Sequence, residues 1–291
     1  MGKGDDPNSS MLLDPAPQAV MDPGLPPAVL RAEQAAATLD SPEYRRRLRE
    51  MPYSLIIDLD DTLISNRRLF DDAQQALDVI FTRLDRDGRP ADQLRRLHQD
   101  IDADNISLYG YSPRGWYISA FQAAQQFAAR PLTDQERQQV KRAAALAMGT
   151  GQLLPGVAQT LQVLQECDVP MLLKTKGARS KQNEKLAVHQ LARFFGTRME
   201  IVQAKDQATF TRLAAAHQLA HPVSIGDSGK SDIAPALSAG FDAILLDKSA
   251  MGVSSWAFEE VAGLDVPVAT SFPEAVLLLA DRPQNPTAIA A

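Results

Sequence analysis

The sequence predicts an α/β protein: a parallel sheet with helices on both faces, interrupted after its first strand by a smaller domain made only of helices. Three observations predict it. Short apolar runs recur at residues 55–57, 171–173, 199–202, 222–225 and 243–246, each with the length and composition of a buried strand. Helical segments separate the later runs, and strand alternating with helix makes a parallel sheet covered on two sides. Between residues 66 and 154 the strand signal disappears and only helical periodicity remains.

Residues 1–50 differ in composition from the rest of the chain. The first 27 are rich in Pro, Gly and Asp and cannot sustain a regular element, so they read as a tail. Residues 27–50 have helical composition and end in the basic run Tyr44-Arg45-Arg46-Arg47, the solvated face of a surface helix packed on the main domain. This N-terminal tail and helix is expected to be partly disordered. The core is then expected to comprise residues 51–65 and 155–291, with the helical domain at 66–154.

Within that insertion Ala73, Leu77, Ile80 and Leu84 mark one helical face, and Leu94, Leu97 and Ile101 another. Pro90, Pro113 and Pro131 punctuate it, and a helix over 134–148 closes it, so about four helices could form a small bundle. In the core, Val157, Leu161 and Leu164 follow one helical face. Leu186, His189 or Gln190, and Arg193 or Phe194 follow another less cleanly.

A chain of 291 residues with 45% hydrophobic content can bury one large core, or one core and a smaller domain. Thirty basic against thirty-six acidic residues give a net charge of -6 without long single-sign blocks, so neither a nucleic-acid nor an acidic-membrane partner is expected. A small anionic substrate would need a local basic pocket. Cys167 alone cannot make an internal disulfide and reads as a buried core residue. No run reaches membrane-spanning length, the N-terminal residues carry no apolar core of the kind a secretory signal requires, and a cytoplasmic location is expected. Oligomeric state is not legible.

The chemistry gathers at strand ends. Asp58 and Asp60 follow the first buried run directly, at the edge where open α/β sheets place their ligands. One carboxylate can attack a phosphoryl group, and a second, two residues on, can protonate the leaving oxygen and later activate water. Phosphate monoesters also demand charge neutralisation, for which magnesium, held by one or two carboxylates, is the natural choice. Gly226-Asp227-Ser228 ends another apolar run and supplies a second acidic loop, followed by Asp232.

These residues, in this order, resemble the motifs of the haloacid dehalogenase-like hydrolase superfamily, over residues 55–246. Asp58-Leu59-Asp60-Asp61-Thr62-Leu63 is similar to its first motif, and Leu173-Lys174-Thr175-Lys176-Gly177 to the second. Lys205 stands for the third, and Gly226-Asp227-Ser228 through Ser231-Asp232 for the fourth. The resemblance implies a Rossmann-like core and makes the helical insertion a cap over the site. It implies that Asp58 is nucleophile and metal ligand, and that Asp60 is acid/base with its backbone carbonyl on the metal. Asp227 would be a further ligand and Asp232 the outer support of the metal site. Thr175 and Lys205 would bind and neutralise the transferring phosphoryl group.

Around these, Asp61 stands where many relatives have glycine and reads as a turn-forming or exposed acid, and Thr62 as backbone support. Lys174, Lys176 and Lys185 compete with Lys205, with Lys185 expected to be solvated on its helix. Arg67 and Arg68, at the mouth of the cap, are candidates for substrate recognition, with a solvated hinge as the alternative. Trp116 and Tyr117 read as cap core. Residues 224–231 end in Gly229-Lys230-Ser231 but carry Ser224 where a P-loop needs its first glycine, so that motif is set aside. His98, His189, His217 and His221 have no zinc spacing and read as surface or helix-face residues.

The expected activity is a Mg2+-dependent phosphomonoesterase on a small phosphorylated metabolite. The alternatives are a phosphotransferase, a metal-independent haloacid dehalogenase, against which Asp60 and Asp227 argue, and a catalytically silent binding protein of the same fold.

Overall fold

The computed structural model describes residues 26–109, 112–247 and 266–282; the expected tail at residues 1–25 lies outside them. In place of one N-terminal helix there are two, α1 (Pro27–Leu39) and α2 (Pro42–Glu50). The break is written in Ser41-Pro42. Ser41 accepts the Tyr44 N–H, and Pro42 occupies the first turn, where its missing N–H costs nothing. Both helices are docked: Leu39 and Leu48 lie in the main core, and the arginines of α2 pair with Asp40, Glu43, Glu50, Glu166 and Asp281.

Strand β1 (Ser54–Ile57) leads into a loop and then four long helices, α3 (Arg67–Leu84), α4 (Ala91–Tyr109), α5 (Pro113–Ala128) and α6 (Asp134–Ala145). They enclose a hydrophobic cluster of their own, including Leu77, Phe81, Leu94, Phe127 and Val140. Helix α6 starts in a capping box, Thr133 and Glu136 each bonding the other's backbone N–H. The chain then returns through α7 (Val157–Glu166), β2 (Met171–Lys176), α8 (Arg179–Val188), α9 (Ala192–Phe195) and β3 (Met199–Val202). The face expected to run from Leu186 to Phe194 is broken, because Gln190 turns left-handed at φ 52° and splits it into α8 and α9. After α10 (Gln207–Ala216), β4 (Pro222–Gly226), a π-helical turn (Gly229–Ile233), α11 (Ala234–Ser238) and β5 (Asp242–Leu246) come β6 (Val268–Ala269) and α12 (Phe272–Ala280).

The six strands are all parallel, in the order β3-β2-β1-β4-β5-β6, the Rossmann arrangement. Period two sorts their side chains. Leu55, Ile57, Leu173, Val223, Ile225 and Ile244 face one layer with α7, α9 and α12, while Ile56, Leu172, Ala243 and Leu245 face the other with Phe210 and Leu213 of α10. The chain leaves β1 toward β2 on one side and reaches β4 on the other, so the crevice between the ends of β1 and β4 is the switch point where such sheets hold ligands. No described helix is long and apolar enough to cross a membrane.

Of its two readings, surface or helix-face, His98 takes the second: it lies on the inner face of α4, fully buried and edge-on to Phe81 of α3 and Trp116 of α5. Its neutral ring donates from Nδ1 to Gln74 Oε1 at 3.0 Å, leaving Nε2 without a partner among the described residues. Burial pulls its pKa down to about 4, against the opposing pull of Asp78. Below the ordinary value of 6.5 the unfolded chain takes up a proton that the folded chain refuses, so stability is lost as pH falls from 6.5 toward 4. The loss expected between pH 7 and pH 5 is about 2 kcal/mol. Urea unfolding of wild type and His98→Leu at the two pH values checks it: the variant should lack this component of the pH dependence.

Candidate active site

Parallel pairing brings the strand ends level. Ile57 is in register with Ile225, and the Asp58 N–H donates to Ile225 O at 3.0 Å, so Asp58 emerges beside Gly226 and Asp227. On the other flank, Thr175 is the penultimate residue of β2 and Lys205 lies three residues past β3. Asp58, Asp227 and Asp232 each offer a carboxylate oxygen to one cluster, all within 4.8 Å of one another.

Two buried lysines face these acids. Lys205 Nζ donates to Asp58 Oδ1 at 2.5 Å and to Asp232 Oδ1 at 2.9 Å, and Lys174 Nζ reaches the same Asp232 oxygen at 3.0 Å. Lys174 points from β2 toward α10, its ammonium 3.8 Å from the centre of the Phe210 ring. The other Asp232 oxygen accepts the Ser228 N–H at 3.3 Å. Asp232 is therefore committed to two ammonium groups and a backbone donor, which suits an outer support of the acidic cluster. Gly226 makes its seat: a Cβ there would lie 2.5 Å from the Asp232 side chain, so any larger residue would push Asp232 off both lysines.

Burial, reinforced by Asp232 and opposed by Lys205 and Lys174, holds the Asp58 carboxyl above its ordinary pKa. The Asp232 carboxyl lies below its own, because the two lysines outweigh burial. Burial brings the Lys174 ammonium down to about 8, against the stabilising pull of Asp232. In Lys205 the pull of Asp232 and Asp58 overcomes burial and raises the pKa. Four buried ionisable groups in mutual contact are a costly way to stabilise a fold, and such clusters mark functional sites.

Asp60 stands outside the acidic cluster, with its carboxylate bonded to Lys185 Nζ at 2.6 Å and Gln182 Nε2 at 2.8 Å. This corrects the reading of Lys185 as solvated: its side chain is only 5% exposed. Thr175 is buried, its hydroxyl accepting from Gln182 Nε2 at 2.8 Å. Asp61 is the turn-former of its two readings. It sits left-handed at φ 56°, and its Oδ1 accepts the N–H groups of Asn66 and Arg67 at 2.9 and 2.8 Å, capping α3. Arg67 is partly buried in the first turn of that helix and Arg68 is exposed. Thr62 is buried beneath Asp58, 3.5 Å from its Oδ2. Trp116 packs edge-on against Phe70 and Tyr117 lies tilted against Phe121, both on the hydrophobic cluster of the helical insertion.

Two lysines were underweighted by sequence reasoning, and each had a signal. Lys174 interrupts an apolar run in a central strand, where an ammonium needs a carboxylate partner. Lys185 lies one helical turn from Gln182, so the two present their polar ends on one face.

No family model matches the sequence, and no curated protein shows a significant match. Solved structures do match. A haloacid dehalogenase-like family hydrolase from Xanthomonas campestris aligns over 79% of this chain and 97% of its own, at 22% identity and a TM-score of 0.64. A hydrolase of the same family from Deinococcus radiodurans, with bound phosphate and sodium, covers 79% of this chain and 96% of its own, at 20% identity and a TM-score of 0.52. A third, from Bacillus subtilis and bound to magnesium, covers 79% and 99%, at 17% identity and a TM-score of 0.51. The chain therefore has the fold of the haloacid dehalogenase-like hydrolases.

Proposed function

We propose that this chain is a Mg2+-dependent phosphomonoesterase that acts on a small organic phosphate through an aspartyl-phosphate intermediate on Asp58. The observation that carries the reading is the convergence at one crevice of a buried Asp58, its Lys205 partner and the acids Asp227 and Asp232, with Thr175 near the end of the adjoining strand β2. A fold alone would not carry it.

The acidic cluster fits a small hard cation. Its oxygens come from three carboxylates, two just past the neighbouring ends of β1 and β4 and one in the π-helical turn that follows β4, the donor type magnesium prefers. Asp58, Asp227 and the Asp60 carbonyl would hold the ion with Asp232 behind them, and when bound it would supply charge neutralisation for the phosphoryl oxygens and keep Asp58 ionised.

The chain's own residues do the rest. Asp58, at the mouth of β1, attacks phosphorus. Lys205, held between Asp58 and Asp232, places a fixed positive charge beside the attacking oxygen, and Thr175 offers its hydroxyl to the phosphoryl group. Asp60 gives its proton to the leaving oxygen and later takes one from the attacking water. The helices α3 to α6, joined to the site through the loop that carries Asp58 and Asp60, would exclude bulk water and select the small phosphorylated substrate, with Arg67 at the junction.

The test is release of p-nitrophenol from p-nitrophenyl phosphate by wild type and Asp58→Asn, each with magnesium and with chelator. Turnover that needs both the metal and Asp58 supports the reading. Turnover indifferent to both overturns it.

A further inference from the structure

Proton transfer needs a carboxyl that is aimed, and the means of aiming Asp60 lies on a different element from Asp60 itself. Both of its oxygens are held from α8: Oδ1 by Lys185 Nζ at 2.6 Å and Oδ2 by Gln182 Nε2 at 2.8 Å. The two donors are three residues apart and therefore share one face of the helix. Each is fixed in turn. Lys185 makes a second bond to Asn66 Oδ1 at 2.8 Å, at the junction with α3, so it is stretched between the acid and the root of the helical insertion. The Gln182 amide also reaches Thr175 Oγ1 at 2.8 Å and Lys176 O at 2.9 Å. Gly177 makes room for it, since a Cβ there would stand 3.0 Å from Gln182 Nε2.

The arrangement is expensive. Gln182 and Lys185 are 2% and 4% exposed, and the far end of the amide, Gln182 Oε1, is buried without a hydrogen-bond partner among the described residues. Apolar side chains would fill the same space without an orphaned oxygen or a desolvated ammonium. What the polar pair achieves that an apolar pair cannot is a fixed direction for the Asp60 carboxyl and a fixed distance between it and Thr175.

We infer that Lys185 and Gln182 are positioning residues for the proton transfers of Asp60, an inference that rests on the phosphomonoesterase reading above. In the first half-reaction the bond between phosphorus and the ester oxygen breaks as the bond to the Asp58 oxygen forms, and the Asp60 proton passes to the leaving oxygen, which departs as an alcohol. In the second, the oxygen of water attacks phosphorus, a proton of that water returns to Asp60, and the Asp58 bond breaks to release orthophosphate. The Lys185 ammonium steadies the carboxylate that appears when the proton leaves. Gln182 keeps the other oxygen turned toward the Thr175 side of the site.

A positioning role for the acid shows in leaving-group dependence, which a purely structural role would not move. Phenyl phosphate needs its leaving oxygen protonated far more than p-nitrophenyl phosphate does, and the two are nearly the same shape. In magnesium, Lys185→Met is expected to lower kcat/KM about a hundredfold for phenyl phosphate and only about fivefold for p-nitrophenyl phosphate. Lys185→Arg should restore most of the loss, and Asp60→Asn should show the same split more strongly. Gln182→Met, which keeps the volume, should give a split of the same sign, and it carries the test if Lys185→Met does not fold. Equal losses on both esters, or no loss on either, would overturn the inference. If Asp58→Asn abolishes turnover in the same assay, the phosphatase reading survives that result. A wild type that hydrolyses neither ester, or an Asp58→Asn variant as fast as wild type, would overturn the reading and the inference with it.

Discussion

Asp58→Asn is expected to lower the hydrolysis of p-nitrophenyl phosphate at least about a thousandfold, because the amide cannot serve as the nucleophile and neither Asp60 nor Asp232 is free to take its place. Asp60 is tied to α8, and Asp232 is committed to two lysines and a backbone N–H. The same variant should keep or raise its thermal midpoint in the absence of metal. The Asp58 carboxyl is held above its ordinary pKa by burial and by Asp232, so its ionised form at neutral pH costs the folded state stability that a neutral amide does not. Activity lost with stability kept is the signature of a group retained for chemistry. Steady-state assay and thermal unfolding of the same preparation check both halves.

Removal of divalent metal is expected to lower turnover about a thousandfold or more, with recovery on adding magnesium and little recovery with calcium, whose larger and looser coordination suits the cluster poorly. The charge balance requires it. Asp58, Asp227 and Asp232 carry three negative charges against two positive ones on Lys174 and Lys205. A phosphate dianion would thus approach an acidic cluster that is net negative by one. A bound divalent cation reverses that sign. Titrating magnesium into chelator-treated enzyme measures the effect, and Asp227→Asn should shift the midpoint to higher metal concentration.

The parallel sheet was legible because its strands are apolar on both faces and end at Asp, Thr-Lys-Gly or Gly-Asp. Period and punctuation also placed Ala73, Leu77 and Leu84 on the buried face of α3. What the sequence hid was pairing at a distance. Nothing local says that Lys185 meets Asp60 rather than solvent, since the contact spans the gap between α8 and the β1 loop. Strand β6 is two residues long, too short for a periodic signal, and exists only because β5 offers it an edge. His98 has an unremarkable spacing in α4, and its burial follows from how α3 and α5 close over it. The roles of Asp58, Asp60, Thr175, Lys205, Arg67, Asp227 and Asp232 remain proposals that the geometry supports, with the first two carrying the chemistry.

The most direct measurement is peptide mass spectrometry of wild type quenched in acid while it turns over p-nitrophenyl phosphate in magnesium. The proposed mechanism predicts a phosphoryl group on the peptide that contains Asp58, lost when chelator is added before substrate and absent from Asp58→Asn. A phosphoryl group on any other residue, or turnover by Asp58→Asn at the wild-type rate, would contradict it.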